Sequence, residues 1–324
     1  MAAIRLSLLA LGVGFFAYLV VTTGPQILLA SMQSLSWWLV VVVVFPATLV
    51  ATLDTFGWLF AFRRNLASLP TLLFVRLAGE AFNATTPTAS VGGEPVKAYL
   101  LRPRVPLEDG LASVIVSKTT SVLAQGFFLV AGIALALIAL PQASPLLKGM
   151  AWLAAAEALA LGGFVLVQQK GCFGGGLRFL RRLGLSLGGA RDEGAQRLDR
   201  ALSNFYRHHR GRLTLSLLFH FGGWVAGSLE VYLILHLMGI SISLITVLVI
   251  EAFAAAIKSA AFLIPGGLGA LEGGNMAVFA AFGLGAGIGL SVTLVRRVRE
   301  LTWVAAGLVA LSLFRAFRPA PEST

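Results

Sequence analysis

Long apolar runs, separated by short polar connections, make up most of this chain. A helix needs about 20 apolar residues to cross a hydrocarbon core about 30 Å thick. Five runs reach this length without interruption: 6–24, 35–53, 121–140, 149–167 and 231–250. Three further candidates are shorter or contain charges: 213–229, 273–295 and 301–317. The pattern predicts an all-α, polytopic integral membrane protein with about eight transmembrane helices.

Two stretches break this pattern, 80–94 (EAFNATTPTASVGGE) and 258–272 (KSAAFLIPGGLGALE). Each combines a charge, a proline seven positions later, glycines, and a glutamate seven positions after the proline. Because proline removes a backbone donor and glycine loosens the chain, neither stretch should continue as a plain helix. Free peptide groups survive in a membrane only when packed in protein or lining a wet cavity. We predict re-entrant or broken helices at 79–102 and 258–274, as in transporters with repeated halves.

Composition and charge agree with a membrane protein and suggest an orientation. Hydrophobic residues make up 57% of the 324 positions and charged residues 12%, against about a quarter charged in soluble proteins. The net charge is +11, and 170–212 alone holds ten Lys or Arg against three acids. Such an excess is typical of a cytoplasmic loop, and it places the N-terminus in the cytoplasm. The single Cys172 excludes an internal disulfide.

The basic loop divides the chain into two halves. The predicted divisions are 1–169, with the first broken stretch, the loop 170–212, then 213–318, with the second broken stretch, and a tail 319–324. An offset of 178 residues pairs Pro87 with Pro265 and Glu94 with Glu272. Few positions are identical at this offset, so the repeat rests on the order of elements. If the halves descend from one unit, the broken stretches should meet near the bilayer centre.

Arginines near the C-terminus fit the positive-inside rule poorly. Arg296, Arg297 and Arg299 form one cluster and Arg315 and Arg318 another, with about one helix between them. Either the last helix begins near 288 and carries arginines within the membrane, or one cluster breaks the rule. We expect the embedded arginines.

Inside the basic loop, 197–213 has the pattern of an amphipathic helix, with Leu198, Leu202 and Phe205 on one face. Such a helix would lie in the headgroup plane and favour anionic lipid. The alternative is a solvated connector whose arginines only fix orientation. Nucleic-acid binding is not expected, because positive-inside loops explain the basicity.

A charge within a membrane span is costly, so each one is a candidate functional residue. Alternatively, such charges form buried ion pairs with one another. Glu94 and Lys97 share the first turn of any helix that starts at Pro95, where an anion could bind. Glycines of the second stretch suit close backbone approach or, equally, tight helix packing. The candidate substrate-binding residues are Glu80, Gly92, Gly93, Glu94, Lys97, Arg102, Lys118, Glu251, Lys258, Pro265, Gly266, Gly267, Gly269, Glu272, Arg296 and Arg297.

The sequence gives little indication of catalysis. No histidine has a ligand partner at metal spacing, the aspartates form no metal-binding pair, and the serines and threonines lack an evident base. We therefore predict no catalytic residue, no metal and no cofactor.

Three motifs in order, GEAFNATTPTASVGGEPVKAYLLR, SVIVSKTTSVLAQG and IPGGLGALEGG, resemble the flippase-like family typified by the membrane region of lysylphosphatidylglycerol synthases. The resemblance implies a plasma-membrane protein with re-entrant helices around a central lipid cavity. A branch associated with hopanoid biosynthesis is similar in length. The resemblance matches Gly92, Gly93, Glu94 and Lys97 to the first re-entrant motif, Lys118 to the next helix, and Pro265, Gly266, Gly267, Gly269 and Glu272 to the second. The synthases append a soluble transferase domain, so lipid aminoacylation is not expected of this polypeptide alone.

The leading hypothesis is a lipid translocator. A polar or anionic headgroup would be held by cations of the broken stretches and adjoining helices while its tails remain in lipid. The alternatives are a membrane-embedded enzyme that modifies a lipid, with Glu94 or Glu272 as general acid or base, and an accessory subunit of a lipid or hopanoid synthesis complex.

Overall fold

A computed structural model describes residues 36–85, 92–139, 189–261 and 264–316, together with residue 21 and parts of 148–163. The described residues are helical, with no strand, which confirms the all-α class. The helices are α1 (Trp38–Phe60), α2 (Leu69–Thr85), α3 (Gly93–Leu101), α4 (Leu107–Ala139), α5 (Gly189–His208), α6 (Arg210–Leu237), α7 (Leu244–Ala260), α8 (Ala270–Ala281) and α9 (Ala286–Ala316), with a 3₁₀ turn at Pro265–Gly267. The structure does not describe the predicted span 6–24 apart from residue 21, Pro87, parts of the span 149–167, the loop section 170–188 or the tail 319–324.

Three of the described helices are long and apolar enough to cross a membrane: α1, α4 and α6. The other helices are shorter or carry more charge. Transmembrane helices are therefore confirmed, and the number eight stays a prediction.

The predicted span 231–250 is wrong, because α6 continues to Leu237 and a separate helix follows it. The predicted span 213–229 lies within α6, which is apolar enough to cross a membrane. Helix α6 ends where Gly239 adopts a left-handed φ of 75°. The amide of Ile240 then donates to the carbonyl of Leu235 at 2.9 Å, as in a Schellman cap. A new helix, α7, begins after Ser243, whose hydroxyl accepts from the Thr246 amide.

The predicted span 273–295 is wrong for the same reason, because it crosses the end of α8, whereas 301–316 lies within α9. Helix α8 ends before Gly283, which has a φ of 73°, and the amide of Leu284 donates to the carbonyl of Phe279. Helix α9 then has 31 residues, or about 46 Å at 1.5 Å per residue. The expected start of the last helix near 288 is confirmed, and its first three arginines lie near the middle of that helix.

Helices α1 and α6 pack against each other along their lengths and run antiparallel. The Arg212 side chain near the start of α6 donates to the carbonyl of Leu59 near the end of α1. At the opposite ends, Val42 and Ile234 share one apolar core. Helix α2 packs on α9, and α7 packs on α4. Helices α2 and α7 therefore each lie against a long helix from the other part of the chain.

Helix α5 has the amphipathic pattern that the sequence predicts, but protein covers its apolar face. Leu198, Leu202 and Phe205 are buried in the same cluster as Phe62 and Val116. This face is therefore not available to lipid. The opposite basic face stays exposed, and Arg197 lies 2.9 Å from Glu108 in an ion pair.

Candidate functional site

The first charged cluster is centred on the buried amine of Lys97, on α3. Its Nζ lies 2.7 Å from Glu80 Oε1 and 3.2 Å from Glu94 Oε2. Lys118, on α4, lies 3.9 Å from the other oxygen of Glu94. Carboxylates of the chain itself therefore occupy the place at Lys97 where the sequence suggested an anion. Helix α3 begins at Gly93, two residues before the predicted start.

Two glycines let α2 and α3 approach closely enough to form this cluster. A Cβ on Gly93 would overlap the carbonyl oxygen of Gly79, and a Cβ on Gly79 would overlap the Lys97 side chain. The Gly93 amide donates to Asn83 Oδ1 at 2.6 Å, which satisfies an otherwise free donor at the helix start. Gly92 is the residue that precedes α3.

The second broken stretch forms a turn that Arg297 fixes to α9. Gly266, Gly267 and Gly269 have φ values of 64°, 60° and 79°, a region that glycine enters without steric cost. Arg297 Nη1 donates to the carbonyl of Gly266 at 2.8 Å. Its Nε donates to Glu272 Oε1 at 2.9 Å. A sequence pattern at Pro265–Gly269 thus produces a real interruption between α7 and α8.

Glu272 joins this turn to the following helix. It is 0% exposed, and its Oε2 accepts from the Gly269 amide at 2.7 Å. Glu300, 40% exposed, pairs with Arg297 at 2.9 Å. The guanidinium group of Arg297 therefore has one buried and one accessible carboxylate partner.

A third cluster lies on α6, α7 and α9. Arg296 Nη2 lies 2.5 Å from Glu251 and its Nε 3.2 Å from Glu230. Arg299 Nε lies 2.9 Å from the other oxygen of Glu230. The sequence selected Glu251 and Arg296 as substrate-binding residues. Glu230 was a charge in a predicted span for which a buried ion pair was favoured, and Arg299 was not selected as a site residue.

A fourth group, around Asp54, was missed from the sequence. Asp54 Oδ2 accepts from Arg76 at 2.7 Å, and Oδ1 lies 2.9 Å from His220 Nδ1. The other ring nitrogen of His220 lies 3.2 Å from the hydroxyl of Ser117. These four residues come from α1, α2, α4 and α6, and only the fold brings them together.

One cavity of about 300 Å³ connects the third and fourth groups and Arg297. The charged residues that line it are Asp54, Arg76, Glu230, Glu251, Lys258, Arg296, Arg297, Arg299 and Glu300. Lys258 is exposed and has no ion pair to any described residue. Polar and small residues complete the wall, notably Ser121, Gly223, Gly227, Asn275 and Thr293.

Several predicted residues lie away from this cavity. Glu80, Glu94 and Lys97 form their own cluster beside it. Arg102 is exposed and stacks on the Tyr99 ring, 4.2 Å from its centroid. No group of three metal-ligating side chains occurs within the described ranges.

Three charged atoms of the third cluster are buried without an aligned hydrogen bond. Glu230 Oε1 and the Nε atoms of Arg296 and Arg299 are buried and make no aligned hydrogen bond in the structure, although each lies near an opposite charge. Buried polar atoms are normally hydrogen-bonded. These three atoms are therefore held by charge attraction within the cluster.

Comparison with known proteins assigns the chain to a family of membrane proteins in lipid metabolism or transport. No curated protein and no solved structure matches the chain. A protein-family comparison matches residues 4–317, nearly the whole sequence, to the lysylphosphatidylglycerol synthase TM region. The resemblance noted from the sequence motifs is thereby confirmed. The chain belongs to the family of the lysylphosphatidylglycerol synthase TM region.

Proposed function

We propose that the protein translocates a lipid between the two leaflets of a membrane. The observation that carries this proposal is the 300 Å³ cavity, whose charged wall is built by helices from both parts of the chain. A single charge at the bilayer centre costs about 2.5–3.5 kcal/mol even on insertion scales. A wall of arranged charges lowers that cost for a headgroup, while the acyl tails stay in the surrounding lipid.

The ion pairs supply exchangeable partners along the path. Lys97 and Lys118 share Glu94, and Arg297 is shared by Glu272 and Glu300. A cation with two carboxylates can release one of them to a headgroup without becoming unpaired. Glu94 and Glu272 then keep the cations oriented as the headgroup passes.

Lys258 is the residue best placed to make the first contact with an anionic headgroup. It lines the cavity and is exposed, and it has no carboxylate within ion-pair distance among the described residues. An ammonium group that is already paired must break one contact to bind a phosphate, whereas Lys258 need break none.

The orientation follows from the positive-inside rule. Arg63 comes just after α1 and Arg212 lies near the start of α6, so both mark the same end of this antiparallel pair. We assign that end to the cytoplasm, with the protein in the plasma membrane and its N-terminus inside. The exposed basic face of α5 would then contact anionic headgroups of the inner leaflet.

The contacts of Glu272 argue against its use as the general acid or base of a lipid-modifying enzyme. A general acid or base needs an oxygen or nitrogen within hydrogen-bond reach of its substrate. Glu272 is wholly buried, with one oxygen on the Gly269 amide and the other on Arg297. It is therefore built as a structural anchor.

The test is reconstitution of the full chain into vesicles that contain labelled phospholipid, hopanoid or polyprenyl phosphate in separate preparations. We expect faster exchange between leaflets than in empty vesicles for at least one lipid. Lys258→Ala should slow it by about tenfold, the loss of about one charge-assisted contact. Lys148→Ala removes an exposed lysine outside the cavity and should leave the rate unchanged.

The proposal fails if no lipid exchanges faster than in empty vesicles. Lipid analysis of a deletion strain separates the alternatives. A missing lipid species would indicate an enzyme, whereas unchanged species with altered leaflet distribution support transport. Retained function in Glu94→Gln and Lys97→Ala, with a lipid-synthesis enzyme copurifying, would indicate an accessory subunit.

A further inference from the structure

The contacts that link Asp54, His220 and Ser117 have no role in the headgroup transfer proposed above. His220 is 1% exposed, yet each ring nitrogen has a polar neighbour, Asp54 Oδ1 at 2.9 Å and the Ser117 hydroxyl at 3.2 Å. Asp54 itself lines the cavity. The imidazole is thus enclosed in protein but connected to the cavity through one carboxylate.

This arrangement accommodates His220 with or without an added proton. In the neutral ring, Nδ1 donates to Asp54 and Nε2 accepts from Ser117. In the charged ring both nitrogens donate, and a serine hydroxyl can accept as readily as it donates. Only a rotation of the Ser117 hydroxyl separates the two states, so neither leaves a buried polar atom without a partner.

Two glycines make room for the side chains of His220 and Asp54. A Cβ on Gly57 would lie 2.7 Å from His220 Nε2, and a Cβ on Gly223 would lie 2.7 Å from Asp54 Oδ1. Real side-chain atoms do not approach so closely. The ring and the carboxylate therefore occupy space that only glycine leaves open on α1 and α6.

The pair lies among charges of both signs. On α2, Arg76 bonds to Asp54, and Glu80 is the other charged group whose field acts on this carboxylate. Helix α4 carries Ser117 and Lys118, and Lys97 of α3 neutralises Glu80. Across the cavity stand Glu230 of α6, Glu251 and Lys258 of α7, and Arg296, Arg297, Arg299 and Glu300 of α9. Since Arg76 already neutralises Asp54, a proton on His220 adds one net positive charge to this side of the cavity.

We propose that Asp54, His220 and Ser117 form a proton-binding site in the cavity wall, whose loading strengthens binding of an anionic phosphate headgroup. The lipid ligand in this statement rests on the proposed function. Histidine is the side chain that ordinarily changes charge between pH 5 and 8. By linkage, the headgroup must in turn favour proton uptake at His220 by the same factor.

The first measurement detects the proton directly and does not depend on transport. The full chain in lipid nanodiscs is labelled with ¹⁵N-histidine, and its ring signals are followed by NMR between about pH 5 and 8. We expect a titrating signal that disappears in His220→Asn, which keeps a donor toward Asp54 but cannot take a proton. His220→Gln, which instead reaches toward Ser117, is the second variant in case the first does not fold.

The second measurement compares binding of phosphatidylglycerol and phosphatidylcholine by native mass spectrometry. Phosphatidylglycerol should bind at least about fivefold more tightly at the acidic end, the lower range of typical coupling between sites. This gain should vanish in His220→Asn and persist in His236→Asn, a control on the exposed end of the same helix. Phosphatidylcholine, with no net charge, should show no gain.

The outcomes separate this inference from the proposed function. If the His220 signal does not titrate, there is no proton site. If it titrates but His220→Asn keeps the tighter binding of phosphatidylglycerol at acidic pH, proton binding at His220 is not coupled to lipid binding. If both measurements succeed while no vesicle assay shows lipid exchange, the proton site stands and the translocator proposal fails.

Discussion

Glu272→Gln is the most informative single substitution, because Arg297 has one buried and one accessible carboxylate. Glutamine keeps the volume of Glu272 and one oxygen for the Gly269 amide, so the change removes mainly the charge. Removing one partner of a buried ion pair costs about 3–5 kcal/mol. Since Glu300 and the Gly266 carbonyl still contact Arg297, we expect a loss of about 3 kcal/mol in unfolding free energy.

Glu300→Gln is the matched control, since it removes the other carboxylate from the same guanidinium group. Glu300 is 40% exposed, and exposed pairs contribute about 0–1 kcal/mol. Chemical unfolding of both variants in one detergent gives the comparison. The double variant Glu272→Gln with Arg297→Gln should recover at least about 0.5 kcal/mol relative to the sum of the single changes. Equal losses for Glu272→Gln and Glu300→Gln, or no recovery, would refute the assignment of Glu272 as the anchor of the turn.

Two further stability predictions concern the contact between α2 and α3. Gly93→Ala should cost about 3 kcal/mol, the upper part of the overpacking range, because its Cβ would overlap the Gly79 carbonyl. Gly110→Ala, whose Cβ would lie 3.6 Å from its nearest neighbour, should stabilise by about 0.5–1 kcal/mol; equal effects in thermal melts would contradict the close approach. Asn83→Ala leaves the buried Gly93 amide without its acceptor and should cost about 1–3 kcal/mol. The exposed Asn204→Ala should change stability by less than about 0.5 kcal/mol, and a similar cost for both would exclude this hydrogen bond as a stabilising contact.

The sequence predicts apolar segments better than it predicts where helices end. Two of the predicted spans cross Gly239 and Gly283, and both glycines terminate helices with left-handed φ values. Each lies within an apolar run, so a hydropathy window continues across it. In both runs the glycine itself was the signal that a helix ends. After Gly239, Ser243 gave a second signal, because it is a typical residue at the start of the next helix.

The second broken stretch shows what local pattern can predict. Three glycines near Pro265 indicate a turn that only glycine forms easily, and the turn is there. Charge in an apolar setting likewise identified Glu251, Glu272, Arg296 and Arg297, because an unpaired charge would be too costly. Both inferences need only residues that are close in the chain.

The cluster around Asp54 could not be predicted in this way. Asp54 and His220 are 166 positions apart, and His220 and Ser117 are 103 apart. Each residue alone resembles an ordinary polar residue in or beside an apolar segment. Their relation depends on the antiparallel packing of α1 with α6 and on the glycines that make room for it, and neither is visible in a local window.

The offset of 178 residues also shows where the two parts of the chain differ. Added to the bounds of α2, α3 and α4, it gives 247–263, 271–279 and 285–317, close to α7, α8 and α9. The paired glutamates Glu94 and Glu272 are equivalent, but the position of the buried Lys97 is taken by Asn275, which donates to Thr293 at 2.9 Å.

This difference in cations makes the two charged clusters chemically unequal. In the first part, Lys97 is locked between two carboxylates. In the second part, the position equivalent to Glu80 is Lys258, a cation with no described partner. In the proposed translocator, an anionic headgroup would meet an unpaired cation at Lys258 and a neutralised one at Lys97. Because these charges do not repeat between the two parts of the chain, we expect the proposed translocator to bind an anionic headgroup more tightly at Lys258 than at Lys97.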